Sequence, residues 1–229
     1  MDLLGHVFHH IDRNLGHYVA DLRDYLRQPS ISATGEGIKD SGVMTAKYLQ
    51  RLGASVKLIS TSRSHGHPVV YGELGSDPGK RTLLVYTHYD TQPVVGQKWR
   101  YPPYDAVLVA NRIFGRGSCE SKGALMSFIS AVKAWKTNEV DLPINIMFLI
   151  EGEEEIGSPD LPAFMNTYGG RFGRCECMLL PGISPQDSSV NVDIMLGFKG
   201  LLYFEMNAKL RDRDLHGRSA TILENAAWR

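Results

Sequence analysis

Residues 82–90 have the sequence TLLVYTHYD, an apolar run that ends in the imidazole of His88 and the carboxylate of Asp90. A second apolar run, INIMFLI at residues 144–150, leads into EGEEEIGS at residues 151–158. Both runs are short, contain β-branched residues and are bounded by turn residues, which predicts strands buried on both faces. In an open α/β sheet, the carboxyl ends of the strands form the crevice that binds ligands. We therefore expect one crevice to receive a histidine and several carboxylates.

A third polar segment, GRGSCESKG at residues 115–123, precedes an amphipathic helix predicted over residues 121–136. Because the helix begins inside this segment, Glu120 is expected near the partial positive charge of a helix N-terminus. Taken alone, the segment could equally be a tight turn that carries an exposed arginine, Arg116. The cysteine-containing sequence at Cys175 and Cys177 has no second cysteine pair, so it does not predict a metal site.

Metal-assisted hydrolysis of an amide bond needs a cation that polarises the carbonyl, a water that the cation acidifies, and a base that takes its proton. His88 can supply a neutral imidazole ligand, and Asp90 can orient that imidazole. Glu120 could ligate one cation or bridge two. Among residues 153–155, one glutamate can coordinate while its neighbour faces the water as general base. Taken singly, each pattern is usually an ordinary surface feature, so the prediction depends on the three segments occurring together.

The overall composition favours an ordinary globular protein. The 229 residues include 43% hydrophobic side chains, and 25 basic residues balance 25 acidic ones, so the formal net charge is zero. This balance predicts no nucleic-acid partner, and no apolar run approaches the roughly 20 residues that cross a bilayer. The N-terminus lacks the pattern of a secretory signal, and the cysteine count of three is odd. We therefore predict a cytoplasmic protein without a membrane partner.

The periodicity of apolar residues predicts the order of elements. Three- and four-residue spacings predict helices over residues 4–27 and 41–52, and short β-branched runs predict strands over residues 56–59 and 68–74. Ser158 is expected to cap a further short helix that has a proline at its first position. Residues 1–196 are thus predicted to form an α/β domain with a mixed, mostly parallel sheet. Alternating apolar residues over 198–210 predict a half-buried strand that opens a second domain, residues 197–229.

Four motifs together resemble the M20 family of zinc metallopeptidases. They are YTHYDTQP at residues 86–93, Trp99 followed by PPY at 102–104, GRGSCESKG at 115–123, and EGEEEIGS at 151–158. The pattern resembles most the dipeptidase branch, which includes carnosine dipeptidase-like enzymes. The resemblance covers nearly the whole chain but only about the first half of a family member. It implies a catalytic α/β domain that is followed by the start of an α+β lid or dimerisation domain.

The resemblance implies two zinc ions per complete site, although Mn²⁺ or Co²⁺ could replace them. His88 matches a ligand of the first zinc, Glu120 matches the residue that bridges both, and Glu155 matches a ligand of the second. Asp90 matches the carboxylate that orients His88, and Glu154 matches the general base.

The resemblance also implies the partners. His216 matches a histidine that stabilises the oxyanion from the partner subunit's lid, so a homodimer is expected. The implied substrate is a small peptide or an acyl-amino acid, cleaved at its amide bond by a metal-activated water.

The sequence departs from the family pattern at several positions. Glu120 stands where the family has aspartate, and Pro181 stands where the family has another aspartate ligand, with Asp187 as a weak substitute. Gly217 directly follows His216 where the family has Ser-Gly, and a further histidine ligand belongs to the family's C-terminal half. The alternative hypothesis is therefore a truncated, catalytically silent relative or gene fragment. A phosphate-binding loop over residues 115–123 is disfavoured, because the spacing differs from a P-loop and the acidic neighbours would repel phosphate.

Overall fold

The structure is a computed structural model that describes residues 3–60, 66–137, 141–182, 196–197, 200 and 202–207. The chain divides into two compact units, Met1–Ser188 and Ser189–Arg229. The elements of the first unit, in chain order, are α1 (Leu3–Arg27), α2 (Ile38–Arg51), β1 (Ser55–Ile59), β2 (Val69–Leu74), β3 (Thr82–His88), β4 (Val107–Val109), β5 (Arg112–Phe114), α3 (Lys122–Lys136), β6 (Asn145–Glu151), α4 (Leu161–Tyr168) and β7 (Cys177–Leu179). Short 3₁₀ turns cover Glu154–Ile156 and Gly169–Arg174.

Five strands form one sheet in the order β1-β2-β6-β3-β7. Strand β3 is parallel to both β6 and β7, whereas β2 is antiparallel to both β1 and β6. Only β2 therefore runs against the other four strands, and the predicted mixed, mostly parallel α/β sheet is confirmed. Strands β4 and β5 form a separate antiparallel hairpin.

Helices cover both faces of the sheet, which explains why its central strands are apolar throughout. All seven residues of β6 are buried. Alternate residues of β6 belong to two different hydrophobic clusters, because successive side chains of a strand point to opposite faces. One cluster contains Ile146, Phe148 and Ile150 with side chains of α2 and α3, and the other contains Met147 and Leu149 with side chains of α4 and the second 3₁₀ turn.

The predicted helices and strands of the first unit are present, with two corrected helix starts. Helix α2 begins at Ile38, three residues before its predicted start at residue 41. The helix expected to begin after Ser158 begins instead at Leu161, with Asp160 at the N-cap position and Pro162 within the first turn. Ser158 itself has a φ of +52°, so it belongs to the turn that precedes the helix. The β4–β5 hairpin and strand β7 were not predicted, since three-residue strands are too short to produce a periodic pattern.

The second unit is described only in part. Residues 202–207 are exposed and form no strand. Of the strand predicted over residues 198–210, residues 198, 199, 201 and 208–210 lie outside the described residues. His216 also lies outside them. Within the described ranges, no helix is both long and apolar enough to cross a membrane.

Candidate metal centre

The carboxyl ends of two neighbouring parallel strands place the candidate site. Strand β3 ends at His88 and strand β6 ends at Glu151, and these two residues are paired in the register of the sheet. The main chain continues this pairing, since the N–H of Tyr89 donates to the carbonyl of Glu151 at 2.9 Å. The first and third polar segments of the sequence therefore meet at one sheet edge, as predicted.

Asp90 holds both segments together through its carboxylate. It is fully buried, and its Oδ1 accepts a hydrogen bond from His88 Nδ1 at 3.1 Å. The same carboxylate accepts the main-chain N–H of Glu154 at 3.3 Å and that of Glu155 at 3.0 Å. Because a carboxylate can only accept, the Nδ1 of His88 carries a proton, and in the neutral imidazole its Nε2 keeps a free lone pair.

Ligand atoms of His88, Glu154 and Glu155 all lie within 4.8 Å of one another. His88 Nε2 is 3.9 Å from Glu154 Oε2, which is too long for a hydrogen bond but leaves room for a cation between the two groups. One neutral imidazole nitrogen and two carboxylates match the nitrogen and oxygen ligands that zinc takes in catalytic sites. The donor set therefore fits a divalent cation.

The remaining predicted site residues are placed differently. Glu120 is exposed, and its carboxylate lies outside the group formed by His88, Glu154 and Glu155. Strand β7 ends at Leu179 and is parallel to β3, so Pro181 follows the strand end at the same sheet edge. Proline has no side-chain donor atom for a cation at that position. Asp187 and His216 lie outside the described residues.

Burial and neighbouring charges change two pKa values at the site. Burial lowers the pKa of His88, but the hydrogen bond to Asp90 and the charges of Asp90, Glu154 and Glu155 outweigh it, so the pKa is raised. For Glu154, burial raises the pKa, because it disfavours the charged carboxylate. The negative charges of Glu155, Asp90 and Glu120 raise this pKa further, whereas the charge of His88 lowers it. A cation between these groups would relieve the repulsion among the carboxylates.

Two further glutamates, to which the sequence assigned no separate role, are buried next to the site and hold its main chain by hydrogen bonds. Glu153 is 3% exposed, and its carboxylate accepts the main-chain N–H groups of His67 at 3.3 Å and Asp160 at 3.1 Å. Glu151 is 2% exposed and accepts hydrogen bonds from the hydroxyls of Tyr86 and Ser158. These roles could not be predicted, because the sequence of an acidic run does not show which glutamate points into the protein.

Gln92 connects the site to the loop that follows β3. Its side-chain amide donates to Glu155 Oε2 and to the Glu155 carbonyl, both at 2.9 Å. The segment that follows Gln92 contacts Arg116, whose guanidinium donates to Pro93 O and to Gln97 Oε1. Beside this loop is a cavity of about 560 Å³, lined by aromatic side chains and by residues preceding Glu120; they include Trp99, Tyr101, Phe114, Ser118 and Cys119.

Gly152 allows the glutamate turn to pack closely against the β3 loop. A Cβ atom at this position would lie 2.3 Å from the Tyr89 hydroxyl, which donates a hydrogen bond to the Pro68 carbonyl at 2.7 Å. We expect Gly152→Ala to lower the free energy of unfolding by about 1–3 kcal/mol, because buried Tyr89 has to move. Denaturant unfolding measures this change. Gly170→Ala is the matched control, since a Cβ atom at Gly170 meets nothing within 4 Å, and an equal effect of the two changes would contradict the prediction.

The fold and the site together define a class of protein, namely an α/β protein with a candidate metal centre at the carboxyl edge of its parallel strands. The profile of the peptidase family M20/M25/M40 matches residues 84–211, which include all three polar segments. The chain belongs to this family.

Individual relatives are similar along most of this chain. A human Beta-Ala-His dipeptidase is 33% identical over 228 residues, which is 93% of this chain and 45% of the relative. A Cys-Gly metallodipeptidase of Schizosaccharomyces pombe is 33% identical over 65% of this chain and 32% of its own length. The crystal structure of human carnosine dipeptidase 1 superimposes with a TM-score of 0.73 at 33% identity, over 77% of this chain and 40% of that one. The chain therefore spans less than half the length of these relatives.

Proposed function

We propose that this chain carries part of the active site of a zinc-dependent dipeptidase-like hydrolase. The reaction is cleavage of the amide bond of a small peptide or acyl-amino acid. The observation that carries the proposal is the group formed by His88, Glu154 and Glu155, all three of which Asp90 orients. The family and the dipeptidase relatives support the same reaction class.

In the proposed mechanism, the chain's own residues hold the cation, orient its ligands and move a proton. His88 presents Nε2, because Asp90 fixes its Nδ1–H. Glu155 is a ligand whose carboxylate Gln92 orients. When bound, a divalent cation polarises the scissile carbonyl and acidifies water. Glu154 is the general base that takes the proton of the water and passes it to the leaving amine.

Several finer assignments belong to the same proposal. Glu120 would add a ligand or a bridge to a second cation. Residues 197–229 would begin a lid through which the protein forms a homodimer, and His216 would stabilise the oxyanion in the partner's site. A strictly monomeric species across micromolar concentrations would count against this role of His216. The three cysteines are free, which supports the proposed cytoplasmic location.

The 229-residue chain by itself is expected to bind less than one equivalent of zinc and to hydrolyse dipeptides near the background rate. The physical reason is that Pro181 offers no ligand and Glu120 lies outside the donor group, so few protein ligands hold each cation. Elemental analysis of the purified chain, together with a dipeptide hydrolysis assay, measures both quantities.

The rescue experiment separates the proposed enzyme from the alternative of a silent relative. An extended version would carry Pro181→Asp and the remaining length of a dipeptidase relative, and we expect it to recover zinc and turnover together. Recovery of neither would favour the silent relative. Robust zinc-dependent turnover by the unmodified chain would instead show that the ligand assignment is wrong, and Asp187 would be the first residue to test.

A further inference from the structure

Ser121 connects Glu120 to helix α3 in a backbone conformation that side chains rarely adopt. Its φ is +59° and its ψ is −99°, and the residue is only 3% exposed. The Cβ atom of an L-residue clashes with the main chain at such angles, whereas glycine adopts them readily. Strained residues of this kind persist only where the surrounding structure holds them, and they cluster at functional sites.

The neighbouring Lys122 supplies a contact that can hold this conformation. Its side chain is 1% exposed, and its Nζ donates hydrogen bonds to the carbonyls of Tyr25 at 3.3 Å and Gln28 at 2.5 Å. The ammonium also lies 4.8 Å from the centre of the Tyr25 ring. Tyr25 and Gln28 are at the C-terminal end of α1, where the helix carries partial negative charge. The start of α3 is thereby fastened to the end of α1.

The loop before Ser121 packs tightly onto the same helix start. The N–H of Gly123 donates to the Gly117 carbonyl at 2.9 Å. A Cβ atom at Gly123 would lie 1.9 Å from the Ser118 carbonyl oxygen, so the loop main chain approaches the helix as closely as a glycine allows. The loop is thus held on both sides of Glu120, which itself is exposed.

A purely space-filling role does not account for Lys122. Burying an ammonium group is costly, and an apolar side chain of similar length would fill the same volume without that cost. Burial lowers the pKa of Lys122 to about 7, and the side chain is explained if its amine is needed to donate to two main-chain carbonyls, which it can do whether or not it is charged. Glu120 is two residues from Lys122, and its loop lies beside the site, since a Cβ atom at Gly117 would be 3.3 Å from the side chain of Thr91, which follows Asp90.

We propose that Ser121 and Lys122 are positioning residues, which hold Glu120 at the rim of the candidate metal centre. Lys122 fastens the α3 start to α1, and the strained main chain of Ser121 directs Glu120 away from the helix. The proposal rests on the proposed function in one respect, namely that Glu120 acts as a cation ligand.

The first test replaces Ser121 with glycine, which removes the strain and frees the loop. We expect faster amide hydrogen exchange across residues 117–121 and an apparent Zn²⁺ affinity about tenfold lower, with a melting temperature equal to or above that of the wild type. A merely structural role would change the melting temperature and leave the affinity unchanged. The matched control is Asn111→Gly, because Asn111 also has a positive φ, +62°, but belongs to the β4–β5 turn. That control should change neither the exchange at 117–121 nor the affinity.

The second test removes the anchor and the ligand separately. Lys122→Met should also accelerate exchange across residues 117–121 and lower the Zn²⁺ affinity. Glu120→Ala should lower the affinity to a similar extent without changing the exchange of the loop. Unchanged exchange in both Ser121→Gly and Lys122→Met would overturn the positioning role, whether or not zinc binds. Faster exchange with unchanged affinity in all three variants would overturn the link to the metal centre, and His88 and Glu155 would then remain as the proposed ligands.

Discussion

Glu154→Gln in the extended protein is expected to lower the hydrolysis rate by roughly 100-fold or more while the bound zinc stays in place. The amide of glutamine keeps the size of the side chain but cannot take a proton from water. Glu155→Gln is expected to lower the zinc content instead, because the carboxylate that Gln92 orients is then lost as a ligand. The measurement is zinc content by elemental analysis, taken on the same samples as the rate of dipeptide hydrolysis.

The distinction between these two glutamates is not evident from distances alone. Both contribute a ligand atom to the group with His88, and Glu154 Oε2 is 3.9 Å from His88 Nε2. Equal loss of zinc from both variants would mean that Glu154 is also a ligand and that the base lies elsewhere. Glu36→Gln serves as the control, since Glu36 is exposed and lies in the turn before α2.

Asp90→Asn is expected to lower zinc affinity by about 10- to 100-fold in the 229-residue chain. The carboxylate accepts hydrogen bonds from three N–H groups through both of its oxygens. The amide of asparagine replaces one oxygen with an NH₂ group, which then faces an N–H donor in either orientation. His88, Glu154 or Glu155 must therefore shift, and calorimetric titration with Zn²⁺ measures the result.

Asp105→Asn is the matched control for this change, because Asp105 is exposed. It removes the same charge and should leave the affinity within about twofold of the wild type, since an exposed charge is screened by solvent and salt. If Asp90→Asn also left the affinity unchanged, His88, Glu154 and Glu155 would be held by other contacts, and the proposed role of Asp90 would be wrong.

The sequence by itself determined the mixed, mostly parallel sheet apart from strand β7, and the edge at which the polar segments meet. Strands β3 and β6 are buried on both faces, so their apolar runs are continuous and easy to recognise. Because parallel strands end at the same edge, the histidine after one run and the glutamates after the other had to meet. The order of motifs also predicted the family, which the profile over residues 84–211 confirmed.

Only the tertiary structure decided which of the acidic side chains face one another. Residues 151–155 include four glutamates that are alike in sequence, yet Glu151 and Glu153 are buried beneath the site whereas Glu154 and Glu155 face His88. The difference arises from the 3₁₀ turn at Glu154–Ile156 and from contacts to Tyr86 and His67, which lie 65 and 86 residues away in sequence from Glu151 and Glu153 respectively. Such orientation is set by packing and not by local pattern.

The placement of Glu120 was decided in the same way. Its position before a helix was evident from the sequence, but the strained main chain at Ser121 and the contact of Lys122 with α1 were not. Residues 25 and 122 are 97 positions apart, and no local periodicity links them. The sequence could therefore name the candidate ligand types and their strands, whereas long-range packing determined which carboxylates lie near His88.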